Sequence, residues 1–201
     1  MRLIGSERSP YVRKVMLVAH ELGLTDRIER ENISVAIRKL ERDPINPNPF
    51  GQIPTLVTDD GRIVHDSFVI CDYLASLADA SWLLNGTSGR LDILTRHATA
   101  HSMLDLLLKR LVERNRTNGV ENDLCGAFRI KVGWGLDALE TNAGGWMQMP
   151  VELGQLTVAC ALAYIDFRFE DDAWRHGRPS LAAWYENMSA RPSMRATTFK
   201  A

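Results

Sequence analysis

Apolar residues change their spacing once along this chain, and the change divides it. Over roughly the first 78 residues short strand-like runs alternate with helical stretches. Arg2–Gly5 reads as a strand. Pro10–Leu22 places Val12, Val15, Met16, Ala19 and Leu22 on one helical face, and Gly23 closes it. Arg27–Ile33 is strand-like, Val35–Arg42 predicts a short helix, and "NPNPFG" predicts a loop. Thr55–Thr58 and Arg62–His65 predict two strands around the Asp59-Asp60-Gly61 turn. Ser67–Leu77 follows as a helix with Ser67 as its expected cap. The order βαβαββα is satisfied by a four-stranded mixed sheet with helices on its faces.

Beyond Ala78 the strand signal fades. "DASWLLNGTSG" (79–89) predicts a linker with an apolar plug at Trp82, Leu83 and Leu84. Helices are predicted at Leu91–Asn115, Ala127–Leu139, Val151–Phe167 and Pro179–Met188. The third is apolar nearly all round, which predicts a buried central position. The expected organisation is α/β plus all-α: a domain over 1–78, the linker, and a helical domain over 90–201.

Composition narrows the function classes. A net charge of −1 supplies no bulk field for nucleic acid or an anionic membrane. The basic run Lys109–Arg116 is interleaved with apolar residues at helical spacing and reads as a solvated helix face. Three widely spaced cysteines (Cys71, Cys125, Cys160) form no Cys-x-x-Cys pair and suggest a reducing compartment. The opening "MRLIG" reads as a strand, no apolar run is long enough for a bilayer, and a cytoplasmic location is expected. His97 and His101 stand four apart, but Ala98 replaces the glutamate of the zinc-protease pattern, so no metal is expected. Trp134, Trp146, Trp174 and Trp184 are expected as core or interface anchors.

Three short stretches carry the candidate chemistry. In Ser9-Pro10 the serine caps a helix and the proline takes its first position. The same placement sets a hydroxyl beside unpaired N–H groups and the positive dipole end, which favours an anion. Pro54 interrupts a strand-like run, where proline belongs at a strand start or a special turn. A cis Ile53-Pro54 bond would turn the Ile53 main chain toward an extended peptide laid alongside. Asp66-Ser67 opens a helix, where a ligand carboxylate could meet the Ser67 hydroxyl and N–H while Asp66 faces an ammonium group. Each stretch also fits an ordinary capping or loop role.

Taken together, "SPYVRKV", "NPFGQIPTLV", "HDS" and the later "ACALAYIDFR" resemble the soluble glutathione S-transferases, in particular bacterial members with serine at the catalytic position. The resemblance spans the chain. It implies a thioredoxin-like N-terminal domain, a "WLL" linker and a helical C-terminal domain that supplies the electrophile pocket. It further implies that Ser9 faces the glutathione sulfur, that Gln52 lies near the glycyl end, and that the Ile53 main chain pairs with the cysteinyl unit. Asp66 and Ser67 would hold the γ-glutamyl group, with Pro54 as the cis-proline. The implied protein is a homodimer that uses glutathione as cosubstrate against a small hydrophobic electrophile or a peroxide. Two other readings stand beside it: a transferase-like module that binds a protein partner with little catalysis, and a glutathione-dependent disulfide reductase. Against the last, Ser9 cannot form a mixed disulfide. A further departure is that Glu152 and Gln155 replace the family's Ser/Thr-x-x-Asp capping box. Glutamate is a poor cap, whereas glutamine can still reach back to a backbone donor. His101, Leu104, Asp105 and Leu108 are candidates for the pocket, although Leu104 and Leu108 fit the core better.

The implied thiol activation is energetically feasible. A free thiol with a pKa of about 8.5 is roughly 3% ionised at pH 7. Lowering that pKa to ~6.5 requires about 2.7 kcal/mol. A charge-assisted hydrogen bond from Ser9 supplies ~1.5–3 kcal/mol and the helix end ~0.3–1. Ionisation raises the reactive fraction about 25-fold, but a Brønsted slope of ~0.4–0.5 leaves a net gain of a few-fold. Larger accelerations must come from holding the electrophile near the sulfur.

Overall fold

A computed structural model describes residues 1–34 and 41–200; the helix predicted over 35–42 falls almost wholly outside them. Contacts group the chain into two compact units, Met1–Leu84 together with the residues from Pro192 onward, and Asn85–Arg191.

The first unit is thioredoxin-like. Its four-stranded mixed sheet has the order β2-β1-β3-β4, with β1 Arg2–Gly5, β2 Glu29–Asn32, β3 Thr55–Val57 and β4 Ile63–Val64. Strand β1 pairs parallel to β2 and antiparallel to β3, and β3 pairs antiparallel to β4. The parallel pair requires a crossover, which helix α1 (Pro10–Glu21) supplies. Gly5 is needed where β1 hands over to α1: a Cβ there would lie 2.4 Å from Val12 Cγ2. Helix α2 (Ser67–Leu77) packs against α1 and β3. Leu3, Ile4, Val15, Leu17, Leu56, Ile70 and Leu74 are buried in this unit.

A short helix, α3 (Trp82–Asn85), occupies the predicted linker; Leu83 and Leu84 are buried as expected of a plug, but Trp82 is 43% exposed. The second unit is helical: α4 Arg90–Arg116, α5 Asp123–Ala143, α6 Leu153–Arg168 and α7 Pro179–Ser189. Helix α5 begins before the predicted Ala127 because Asn122 caps it, its side chain accepting the Cys125 N–H at 3.0 Å. The polar first turn and Gly126 hide that start from a periodicity reading. Helix α6 is buried from Leu153 through Ile165, matching its all-round apolar sequence. It lies close against α4, for a Cβ on Gly154 would come within 2.7 Å of the Ile93 carbonyl oxygen. Helix α8 (Pro192–Ala196), too short for a clear period, belongs to the first unit.

Two expectations are corrected within the second unit. The Lys109–Arg116 run is not simply a solvated face. Arg110 is 3% exposed, paired with Glu121 and Asp172 and stacked on Phe169, while Glu113 binds Arg116 and Asn122. Each inward cation has an acid or ring that spacing along one helix does not reveal. Glu152 does cap α6: its carboxylate accepts the N–H of Gly154 at 2.7 Å and of Gln155 at 3.0 Å, and Arg96 pairs with it. Burial pushes the Glu152 carboxyl above its ordinary value, against the opposing pull of Arg96 and the two N–H groups. Gln155 does not reach back; its buried Nε2 lacks a hydrogen-bond partner among the described residues. Of the four expected anchors, Trp146, Trp174 and Trp184 are buried in the core, and Trp134 is 65% exposed on α5.

Candidate functional site

The strand register brings the three candidate stretches to one end of the sheet. Ile4 pairs with Thr55 at the end of β1 and the start of β3, so Ser6–Ser9 and Gln52–Pro54 leave the sheet on the same side. Leu56 pairs with Val64, which returns the chain to that side at His65–Ser67. Helices α1 and α2 both begin there, so two sets of unpaired N–H groups and two positive dipole ends converge.

Ser9 is the N-cap of α1 and Pro10 its first residue. The Ser9 Oγ accepts the Val12 N–H at 3.3 Å. Its own proton remains available to donate, because a hydroxyl both accepts and donates. The peptide bonds Ile53–Pro54 and His65–Asp66 are both cis. Neither the N–H nor the C=O of Ile53 is hydrogen-bonded to any described residue. Such a main-chain pair at a sheet end is suited to an added strand. Gln52 is exposed, and its carbonyl is held by Asn46 Nδ2 at 3.0 Å and Thr55 Oγ1 at 3.1 Å.

The cap of α2 is Asp66, not Ser67. Its Oδ1 accepts the N–H of Phe68 at 2.9 Å and of Val69 at 3.4 Å. Asp66 has the extended backbone that a cap needs, while Ser67 is already the first helical residue. This leaves the Ser67 hydroxyl without a hydrogen bond to a described residue, at 2% exposure. One Asp66 oxygen serves the cap, and the other makes no hydrogen bond to a described residue.

A family model described as "Glutathione S-transferase, N-terminal domain" matches residues 8–77, a span that contains all of these groups. The chain is 30% identical over 201 residues to an uncharacterised GST-like protein, YibF, of Escherichia coli strain K12, covering 98% of each. It belongs to the glutathione S-transferase family. Among solved structures, a glutathione transferase family member from Pseudomonas fluorescens Pf-5 is similar at 34% identity. Its complex with bound glutathione superposes with a TM-score of 0.89, covering 100% of this chain and 99% of that one. Its complex with S-(propanoic acid)-glutathione gives 0.86, covering 100% of each.

In this family member the residues that sequence reasoning passed over are Asn46 and Asn48, read only as loop. Both are 2% exposed. Asn46 takes the Asn48 N–H at 3.1 Å while bonding the Gln52 carbonyl, and Asn48 takes the Phe50 N–H at 2.9 Å. Together they brace the approach to Ile53. The available signal was an asparagine two residues before a backbone donor, repeated as Asn-Pro-Asn-Pro. Of the pocket candidates, Leu104 is fully buried core, His101 and Leu108 are half-buried, and Asp105 is exposed. The three cysteines are buried and unbridged. Among the described residues no group of three or more His, Cys, Asp or Glu could hold a metal, and no helix is long and apolar enough to cross a membrane.

Proposed function

We propose that the chain is a cytoplasmic, homodimeric glutathione transferase that joins the glutathione thiol to a small hydrophobic electrophile. The observation that carries the reading is the convergence of Ser9, the Ile53 main chain, unpaired among the described residues, and Ser67 at one sheet end, in a member of this family. The glutathione and the glutathione thioether held by the Pseudomonas fluorescens protein support it.

Glutathione would lie extended along Ile53, pairing with its N–H and C=O beside the cis Pro54. Its glycyl end would approach Gln52. Its γ-glutamyl carboxylate would meet the Ser67 hydroxyl and N–H at the start of α2, and its ammonium group the uncommitted oxygen of Asp66. The Ser9 hydroxyl, already accepting from Val12, would donate to the sulfur. The thiol proton leaves to solvent and the thiolate is stabilised by that hydrogen bond and by the α1 dipole. The sulfur lone pair then forms the C–S bond. In a substitution the leaving group departs with its electron pair; in an addition the carbanion takes a proton from water. Ser9 provides no second thiol, so a mixed enzyme disulfide is not part of the cycle.

The test is retention on immobilised glutathione followed by aryl-halide conjugation by wild type and Ser9→Ala. Retention with activity that falls in the variant supports the reading. Failure of the wild type to be retained refutes it in favour of a partner-binding module. A screen over haloarenes, epoxides, peroxides and isothiocyanates then assigns the electrophile class, peroxide reduction being one of its outcomes.

A further inference from the structure

The segment after Pro192 grips α1 and the loop before it, on both sides of Ser9. Arg13, one turn beyond Ser9, is 7% exposed. Its Nη2 donates to the Met194 carbonyl at 3.2 Å and its Nε to Thr197 Oγ1 at 3.4 Å. Its guanidinium centre stands 4.5 Å over the Phe199 ring. No carboxylate of a described residue lies within ion-pair distance of it. A cation withdrawn from water is costly, so its polar and ring contacts must be kept. All of those side-chain contacts come from the C-terminal segment. Upstream of Ser9, Glu7 accepts from Lys200 Nζ at 2.9 Å and Arg30 Nη1 at 3.3 Å. The Lys200 hydrogen bond leads in holding the Glu7 carboxyl below its ordinary value. At the far end of α1, the Ser193 hydroxyl donates to Glu21. A cleft of about 100 Å³ remains between these groups, bordered by Ser6, Glu7, Arg13, Arg30, Thr197 and Lys200. The grip therefore depends on a few polar contacts across a partly open surface.

We propose that Arg13 is a positioning residue for Ser9, acting through the C-terminal segment to hold the first turn of α1. The turn is closed by the Arg13 N–H on the Ser9 carbonyl at 3.0 Å and by the long 3.3 Å bond from Val12 N–H to Ser9 Oγ. Releasing the side chain of Arg13 loosens that turn and lets the hydroxyl stray from the sulfur. The catalytic consequence rests on the assignment of Ser9 to the sulfur made above; the mechanical one does not.

The experiment compares wild type, Arg13→Met, Arg13→Lys and a chain ended after Ala196, which keeps α8 but removes Thr197, Phe199 and Lys200. Methionine fills the buried space without the donors, and lysine restores the charge and a compact ammonium donor in place of the planar fork. Two readouts are taken on folded protein: hydrogen exchange of the Val12 amide, and the pH titration of bound glutathione by thiolate absorbance. In Arg13→Met the Val12 amide exchanges several-fold faster, while the Phe68 amide on α2 is unchanged. The thiol pKa rises by about half a unit, or roughly threefold less thiolate below the pKa, with glutathione affinity nearly constant. Arg13→Lys recovers part of both effects. Shortening the chain, which leaves Arg13 only the Met194 carbonyl, reproduces most of both effects, and Arg13→Met in the short chain adds less than it does in the full chain. Unchanged Val12 exchange in Arg13→Met, or effects of substitution and shortening that simply add, overturns the proposal. A wild type whose bound thiol titrates as free glutathione refutes the role given to Ser9; Val12 exchange then still decides whether Arg13 holds the turn.

Discussion

Removing the Glu152 side chain tests the energetic account of the helical unit. Glu152→Ala orphans the N–H groups of Gly154 and Gln155, since α6 then begins without a cap. It also leaves Arg96, whose side chain is 11% exposed and stacked 4.9 Å from the Trp146 ring, without its carboxylate. Loss of a cap costs ~0.5–2 kcal/mol, and breaking a buried pair by removing one partner costs ~3–5 kcal/mol. The two share one carboxylate and do not add, so we expect ~3–5 kcal/mol for the alanine variant. Glu152→Gln removes the charge and keeps one carbonyl oxygen, which can accept one of the two N–H groups. Burial pushes the Glu152 carboxyl above its ordinary value against the opposing pull of Arg96, so removing the charge also removes a desolvation cost. The glutamine variant, which still caps one N–H, should therefore cost less than alanine. The assay is urea unfolding followed by fluorescence, with Trp146 and Trp184 in edge contact at 5.2 Å as local reporters. An alanine variant within ~1 kcal/mol of wild type, or a glutamine variant as unstable as alanine, refutes the reasoning.

The remaining predictions concern the same two units. Because the folded-state pKa of Glu152 is raised, its contribution to stability is complete below the ordinary glutamate value and is lost as pH rises through the folded value; unfolding curves across that window should show this slope, and Glu152→Gln should remove it. Gly154→Ala should destabilise by ~1–3 kcal/mol in thermal unfolding, since the added Cβ meets the Ile93 carbonyl at 2.7 Å. Ser9→Ala should raise the pKa of bound glutathione by ~1–2 units and slow conjugation most at low pH, with the two rate profiles converging above ~pH 9; parallel profiles would contradict this. Ser67→Ala should weaken glutathione binding while leaving stability nearly unchanged, whereas Asp66→Ala should also lose ~1 kcal/mol through the α2 cap; equal loss of stability in the two variants would contradict the cap assignment.

Local chemistry was legible in the sequence where one residue type dictates one geometry. Ser9-Pro10 reads as a helix start, the Asp59-Asp60-Gly61 turn fixes a hairpin, and the unbroken apolar run of α6 marks a buried helix. Where adjacent residues compete for one role, a single sequence does not choose between them: Asp66 and Ser67 are both good caps, and backbone conformation decides for Asp66. Contacts distant in sequence were hidden. The Arg110 pairs reach Glu121 and Asp172, and the Glu152 cap is completed by Arg96, 56 positions away. The segment after Pro192 was grouped with the helical residues because it follows them, whereas its contacts lie with α1. Asn46 and Asn48 were hidden for another reason: a loop rich in Asn and Pro reads as solvent-exposed, and only the fold shows both side chains inside it.

The central claim is that glutathione lies along the main chain at Ile53 with its glutamyl end on α2. Titrating glutathione into isotope-labelled protein and following backbone amide resonances tests it most directly. The account predicts that the Ile53 and Ser67 amides shift together and saturate at one concentration. Saturating glutathione that leaves both amides unmoved would contradict it.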